Sequence, residues 1–284
     1  MNLSVIMACH NRRELTLRSI KRANAAATRA GLPITFTLFD DGSSDGTSDA
    51  VSQMPVPVQI LTGDGSAYWA SGMAQAEAAA LKATPSDGDG FLVWLNDDVE
   101  LDEDAFSRMS EYMERHPDGV LVGAMRDPTG GELTYSGLQK GGIHPLSFQS
   151  VPPGSRPKDV ETFNGNFVLI PIAVAKAIGG IDGTFSHALA DIDYGLRCGR
   201  AGVQILLCPG TFGSCPRNPV APLGPLFQDW KRFVGVKGGG NYSSLKQVLG
   251  KSHPRSAKLI IGFSYCLWWM RRIAVYIRSG YGRR

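Results

Sequence analysis

The sequence predicts an α/β fold, a mostly parallel sheet flanked by helices. Three observations predict it. Short apolar runs alternate with helix-length stretches along the first two thirds of the chain, as in successive βαβ units. The runs lack polar alternation, as expected of strands buried on both faces. Three of them end in loops that carry aspartate, and an open parallel sheet binds ligands beyond the carboxyl ends of its strands.

The elements follow in order. Residues 3–9 are the first apolar run. No charged and apolar leader stands ahead of it, which argues against a secretory signal. Residues 14–30, with Leu15, Leu17 and Ile20 and an alanine-rich finish, read as a helix stopped by Gly31 and Pro33. Residues 34–39 form the second strand, running into Asp40-Asp41-Gly42, with a short helix over 45–53. Residues 58–61 form the third, ending in Gly63-Asp64-Gly65, and 71–83 a second long helix. Residues 91–95 form the fourth, ending in Asn96-Asp97-Asp98. Beyond it the pattern predicts a helix over 102–115, a strand over 120–125 and long Gly- and Pro-rich loops over 126–160. A strand over 163–171 is interrupted by Gly165; a helix over 189–201 is stopped by Gly202; a strand follows over 203–208. Residues 209–225, rich in proline, read as a connector.

Composition bounds the function. The chain has 284 residues, 43% hydrophobic and 19% charged, enough apolar surface for a sizeable core, which excludes a disordered chain. Cys9, Cys198, Cys208, Cys215 and Cys266 are scattered without a CxxC pair. That excludes a zinc ribbon or a disulfide framework and suits reduced cytoplasmic thiols. The net charge of +3 hides an asymmetry. From Arg217 onward there are 13 basic residues and one acidic, Asp229, leaving 16 basic and 25 acidic before it. An acidic body therefore carries a basic end, suited to an anionic surface.

Four constellations carry chemistry. In FDDGSSDGT an apolar strand delivers Asp40 and Asp41, whose carboxylates can accept hydrogen bonds from a base or a ribose; a capped turn uses the same residues. In WLNDDVELD, Asp97 and Asp98 are hard oxygen ligands suited to Mg²⁺ or Mn²⁺, which take few protein carboxylates when substrate phosphates complete the shell. In HALADIDYGLRCGRAG, Asp193 is explained by helix-start electrostatics and an i,i+4 pair with Arg197, whereas Asp191 is the freer carboxylate. His187 stands near it as a substrate contact. In GDGSAYWASGMAQA, Gly63 and Asp64 open a Gly-rich loop before a helix, a possible phosphate or sugar cradle. No G-x-S-x-G, Cys/His pair or nucleic-acid-binding signature appears, so neither a hydrolase triad nor a nucleic-acid partner is expected.

With SVIMACHNR before them and FNGNFVLIP between, these segments resemble, in order, the motifs of family 2 glycosyltransferases over about residues 3–215. The resemblance implies a GT-A fold with a Rossmann-like nucleotide-sugar-binding half, a divalent Mg²⁺ or Mn²⁺ ion, and inversion at the anomeric carbon. By position it implies that Asp40 and Asp41 face the nucleoside, with Gly63, Asp64 and Asp97 on the donor side. Asp98 would bind metal and diphosphate, and Asp191 would be the base. Trp69, Asn166 and His187 are the acceptor-side candidates. The chain departs from the family pattern at Asn96, in place of the first DxD aspartate, at Ala190 before Asp191, and at Ala8-Cys9 after the first strand. The loop with Tyr68-Trp69 and the NDD form resemble members that build bacterial surface polysaccharides.

The reading is an inverting transferase that moves a sugar from a nucleoside-diphosphate sugar to a saccharide or lipid-linked hydroxyl. Residues 1–216 form the catalytic domain, with 1–100 as donor half and 101–216 as acceptor half, and 217–284 a basic extension. A nucleotidyltransferase or a non-catalytic membrane-recruited binder would be the alternatives. Within the extension, residues 259–270 are uncharged for 12 residues, short of the roughly 20 needed to span a bilayer. Extending the run brings in Arg271 and Arg272, each costing roughly 2.5–3.5 kcal/mol near a helix centre. Tyr265, Trp268, Trp269 and Tyr276 instead predict a segment lying on the inner face of the cell membrane; a C-terminal helix packed on the body is the competing expectation.

Overall fold

In the computed structural model, which describes residues 1–84, 90–219 and 222–278, the alternation becomes one large sheet. Its elements are β1 (Asn2–Cys9), α1 (Arg13–Arg29), β2 (Ile34–Asp40), α2 (Thr47–Ser52), β3 (Val58–Thr62), α3 (Tyr68–Ala83), β4 (Gly90–Leu95), β5 (Glu100–Leu101), α4 (Ala105–Arg115) and β6 (Val120–Arg126). Short strands follow as β7 (Leu133–Tyr135), β8 (Gly137–Lys140), β9 (Phe148–Ser150), β10 (Lys158–Asp159) and β11 (Thr162–Phe163). Then come β12 (Phe167–Pro171), α5 (Ile172–Ile178), α6 (Ala190–Arg200) and β13 (Ile205–Ser214), and the helices α7 (Leu226–Val234), α8 (Tyr242–Ser252) and α9 (Ala257–Arg278). The main sheet runs β10-β13-β6-β12-β4-β1-β2-β3, with β5 beside β13 and β7 beside β6; β11-β8-β9 form a small second sheet.

β1, β2, β3 and β4 are mutually parallel, so the loops after them leave from one edge. β12 runs antiparallel to β4 and β6, pairing Phe167 with Leu95. Its first residue therefore lies where β4 ends. β1 and β4 are buried almost throughout, as their unbroken apolar runs demand. α3 packs against β1 and β2 through small residues. A Cβ on Gly72 would come within 3.0 Å of the Phe39 ring and 3.1 Å of the Ala8 methyl, so glycine permits that approach.

Three expectations are corrected. The connector over 209–225 begins instead as strand, because β13 continues to Ser214. It absorbs Pro209 and Gly210 through shifts in its register with β6 between Leu207 and Gly213, as a bulge allows. Residues 126–160 are not all loop but hold β7 to β10. The strand over 163–171 is broken at the interruption read at Gly165, into β11 and β12.

The chain divides into two compact units, one of Met1–Gly183 and Asp191–Asn218, the other of Thr184–Ala190 and Pro219–Arg284. The second is helical and has its own aromatic core. Trp230 of α7 lies with ring centroids 5.1–5.3 Å from Tyr265, Trp268 and Trp269 of α9, and Phe233 stacks on Trp268 at 5.2 Å. Asp229, buried beneath this cluster, pairs with Arg232 and Arg272. Asn241 caps α8 by accepting from the Ser244 amide, and Ser186 bonds the Ser244 hydroxyl. Trp268 and Trp269 were expected to be lipid-facing; they are half-buried instead, and the Tyr265 hydroxyl donates to the Gly240 carbonyl.

Candidate active site

An aromatic hub positions the site. Trp94, fully buried in β4, meets Trp69 of α3, Phe163 of β11 and Tyr194 of α6 edge to face, at 6.0, 5.8 and 4.9 Å between centroids. Each such contact adds about 0.5–1.5 kcal/mol beyond area burial. The residues of interest leave from this hub. Asn96, Asp97 and Asp98 follow β4, Gly165 and Asn166 precede β12, and Asp191 opens α6.

Asn96 does not offer a carboxylate, but its side-chain oxygen accepts from the Trp69 indole at 2.9 Å, and its amide donates to the Asn166 carbonyl at 3.1 Å. The Trp69 ring in turn covers Gly165, where a Cβ would stand 2.9 Å from the ring. The Gly165 amide donates to Asp191 Oδ2 at 3.2 Å, and Asp191 Oδ1 accepts from its neighbour Ile192 at 2.8 Å. The link from the acidic turn to Asp191 is therefore Asn96–Trp69–Gly165. Desolvation raises the Asp191 pKa above the ordinary aspartate value, opposed by these amides. Asp193, by contrast, is buried and bonded to Arg197 at 2.8 Å, as the helix-start reading expected.

Asp97 and Asp98 share one guanidinium. Arg12 Nη1 donates to Asp97 Oδ1 at 3.0 Å and to Asp98 Oδ2 at 3.1 Å. Burial pushes the Asp97 carboxyl up to about 7, although Arg12 pulls the other way. Asp98 is the more open of the two and also accepts from the Cys215 thiol at 3.4 Å. Burial and Asp98 raise that thiol's pKa far above its usual value, so Cys215 is a neutral donor. Asn166 donates to the same sulfur at 3.5 Å. Among the described residues no cluster of three or more His, Cys, Asp or Glu side chains could hold a metal ion. Two hard carboxylates fit a divalent cation when substrate phosphates complete the shell, so the donor set suits Mg²⁺ or Mn²⁺ only together with a phosphorylated ligand.

The first constellation is knitted rather than open. Asp40, buried, accepts from the Ser43 amide at 3.0 Å and from the Ser48 hydroxyl. Asp41, also buried, accepts from three amides of the Gly-rich loop, Gly65 at 2.9 Å, Ala67 at 3.2 Å and Tyr68 at 2.9 Å. It thus caps the start of α3 from another element, satisfying amides the helix leaves unpaired. Gly63 donates to the Asp40 carbonyl at 2.7 Å, and a Cβ there would meet Asp41 Oδ1 at 2.6 Å and the Phe39 ring at 2.8 Å. Gly63→Ala is accordingly expected to cost ~1–3 kcal/mol, read as a lower denaturant midpoint. An unchanged midpoint would show that the loop yields without loss. Asp64 is exposed, and the Ser66 hydroxyl and amide hold its pKa below the usual value.

The segment after β1 was read from sequence as part of a motif, but none of its residues was given a site role. The His10 Nδ1–H donates to the Asp41 carbonyl at 2.6 Å, and Asn11, at a positive φ of 52°, accepts from the Ser44 amide at 2.8 Å. The Arg13 amide donates to Asp45 at 3.0 Å. The available signal was an Arg12-Arg13 pair leaving a strand edge that also carries acidic turns. His187 lies in the second unit, on its 184–190 segment, and is half-buried. A cavity of about 850 Å³ opens at the opposite end of the strands, against Leu3, Phe36, Pro57 and Ala80; no residue of the candidate site lines it.

Arg12→Ala should leave Asp97 and Asp98 without their shared counter-charge. The half-exposed pair itself contributes less than about 1 kcal/mol, but the thermal stabilisation given by Mn²⁺ in the presence of a nucleoside diphosphate should grow relative to wild type, because stabilisation rises with the logarithm of ligand affinity. A smaller Mn²⁺ effect would mean that Arg12 is needed to shape the pair.

Comparisons with known proteins bear on the fold and the family. The chain is 26% identical over 193 residues to the N-acetylglucosaminyl-diphospho-decaprenol L-rhamnosyltransferases of Mycobacterium tuberculosis strains CDC 1551 / Oshkosh and ATCC 25618 / H37Rv. The match covers 60% of this chain and 62% of the length of those relatives. Among solved structures, Staphylococcus aureus TarS 1-349 in complex with UDP-GlcNAc superposes with a TM-score of 0.55 at 14% identity, covering 88% of this chain and 71% of that one. TarS 1-349 alone gives 0.53 at 14% identity, over 76% and 60%. At that identity the likeness shows the fold, which is the GT-A type expected from the sequence. The family model described as Glycosyl transferase family 2 matches residues 4–176, more than half of the chain, and the chain belongs to that family.

Proposed function

We propose that the chain transfers a sugar from a nucleoside-diphosphate sugar to a lipid-linked saccharide, with inversion, in bacterial surface polysaccharide synthesis. The observation that carries this is the Asn96–Trp69–Gly165 link, which joins the acidic turn after β4 to a desolvated carboxylate at the start of α6. Asp98, with Asp97 beside it on the donor side, would hold Mg²⁺ or Mn²⁺ with the donor's diphosphate, and the ion would supply positive charge where negative charge builds on the leaving group. Asp40 and Asp41, with Gly63 and Asp64, frame the nucleoside end through the loops they fix. Asp191 accepts the proton of the acceptor hydroxyl as its oxygen bonds to the anomeric carbon; the bond to the diphosphate breaks on the opposite face. Trp69 lies on the link between the donor and base ends and would pack against a sugar ring on the acceptor side. Asn166 would act through Cys215 and the turn.

The relatives named above act on an N-acetylglucosaminyl-diphospho-decaprenol, so a polyprenyl-diphosphate sugar is the acceptor class to test. The working place is the cytoplasmic face of the membrane. The experiment incubates the chain with Mn²⁺, a panel of nucleotide-sugars and a short-chain polyprenyl-diphosphate N-acetylglucosamine, and analyses the lipid product by mass spectrometry. One sugar should be added, with inverted anomeric configuration by NMR. Donor binding without transfer to any lipid-linked or soluble saccharide would overturn the proposal and favour a non-catalytic binder.

A further inference from the structure

α9 presents two apolar faces, and among the described residues only one has a partner. The inward face carries Ile261, Tyr265, Trp268 and Trp269, with Arg272 reaching Asp229. The other face carries Leu259, Phe263, Cys266, Met270, Ile273 and Ile277, at spacings of three and four residues, and all six are exposed, Leu259 at 78% and Ile277 at 73%. At about 100° per residue these side chains fall within about 40° of one line down the helix. Lys258, Arg271 and Arg278, also exposed, fall about 100–120° from that line, so the stripe is uncharged and its margins are basic.

We propose that this stripe is a membrane-docking face, with α9 lying in the plane of an anionic leaflet. The six apolar side chains enter the acyl boundary, and the marginal Lys and Arg extend to lipid phosphates. Charge selects this occupant over a second copy of the chain. From Pro219 onward the unit has twelve Lys and Arg and one acid, Asp229, which is buried and already paired with Arg232 and Arg272. Two such stripes packed together would set basic margin against basic margin, which is repulsive. Anionic head groups supply the opposite charge. Spanning is a different matter: among the described residues no helix is long and apolar enough to cross a membrane. The inference deepens the proposed function, resting on it for why a lipid surface matters, and replaces Trp268 and Trp269 as the contacting residues.

The test needs neither donor nor acceptor. Cys266 is exposed and the other four cysteines are buried, so an environment-sensitive fluorophore can be placed on the stripe of the unmodified full chain. With vesicles of phosphatidylcholine and phosphatidylglycerol at 70:30, the emission should shift to the blue and be quenched by brominated acyl chains, and should return at high salt. Pure phosphatidylcholine should give little. Independently, the unlabelled F263D/I273D double variant should partition to the anionic vesicles about tenfold more weakly or less, with an unchanged circular dichroism spectrum. Transfer to a soluble acceptor analogue by that variant should persist, so failure of docking and failure of the transferase reading are separate results. Equal binding by the double variant would overturn the proposal. So would a blue shift without vesicles, accompanied by a dimer on light scattering that the double variant loses.

Discussion

Asp191→Asn should reduce transfer by ~10²–10⁴-fold, the usual contribution of a general base, while nucleotide-sugar binding stays near wild type. The change keeps the side chain's shape but removes the proton acceptor, together with one of the two acceptor oxygens that now meet the Gly165 and Ile192 amides. Asp193→Asn should do the reverse. Its carboxylate is bonded to Arg197 at 2.8 Å and is buried, and breaking such a pair costs up to about 3 kcal/mol while leaving the per-molecule rate close to normal. Measuring kcat and melting temperature on both variants separates the roles, and a near-normal kcat for Asp191→Asn would transfer suspicion to Asp193. A pH profile adds a second check. Only the ionised carboxylate accepts a proton, and burial holds the Asp191 pKa above its ordinary value. The rate should therefore be full above that raised pKa and be lost as pH falls through it, at a higher pH than an ordinary aspartate near 3.9 would give. The Asn variant should lack that limb.

Asp98→Asn is expected to weaken metal-dependent donor binding on the order of 10²-fold, and more than Asp97→Asn does. Asp98 is the more open carboxylate, whereas Asp97 is buried and held by Arg12. An incoming ion and diphosphate therefore reach Asp98 more readily than Asp97. Titration of nucleotide-sugar with and without Mn²⁺ reads the difference directly. Equal losses would show that both aspartates share the ion, and no loss in either would move the ion elsewhere.

Most of the frame was legible. The unbroken apolar runs of β1 and β4, the alanine-rich α3 and the acidic loop ends all follow from patterns local in the chain. Asp193 and Arg197 lie four residues apart, so their pair could be read as well. Arg12 could not be assigned, because its partners lie 85 and 86 residues away and only the parallel pairing of β1 with β4 brings them together. Asp41 was expected to face a nucleoside, but its three amide partners come from a loop whose return path no periodicity specifies. β13 was ended too early because Pro209 and Gly210 read as breakers, and a bulge let the strand continue. In α9 the aromatic side chains suggested the lipid-facing side, yet Trp230, 35 residues earlier in the chain than Tyr265, takes them as its own core.

The knitting of the loops after β1, β2 and β3 has a consequence for motion. The amides of Arg13, Ser43, Ser44, Gly65, Ala67 and Tyr68 lie outside regular strand pairing, yet each donates to a side chain. In hydrogen–deuterium exchange they should be slow for loop amides, opening with the sheet rather than by local fraying. If the proposed donor site is correct, a donor arriving there would meet a surface already ordered and little conformational entropy would be lost on binding, so deuterium uptake in these loops should change only slightly when nucleotide-sugar is added.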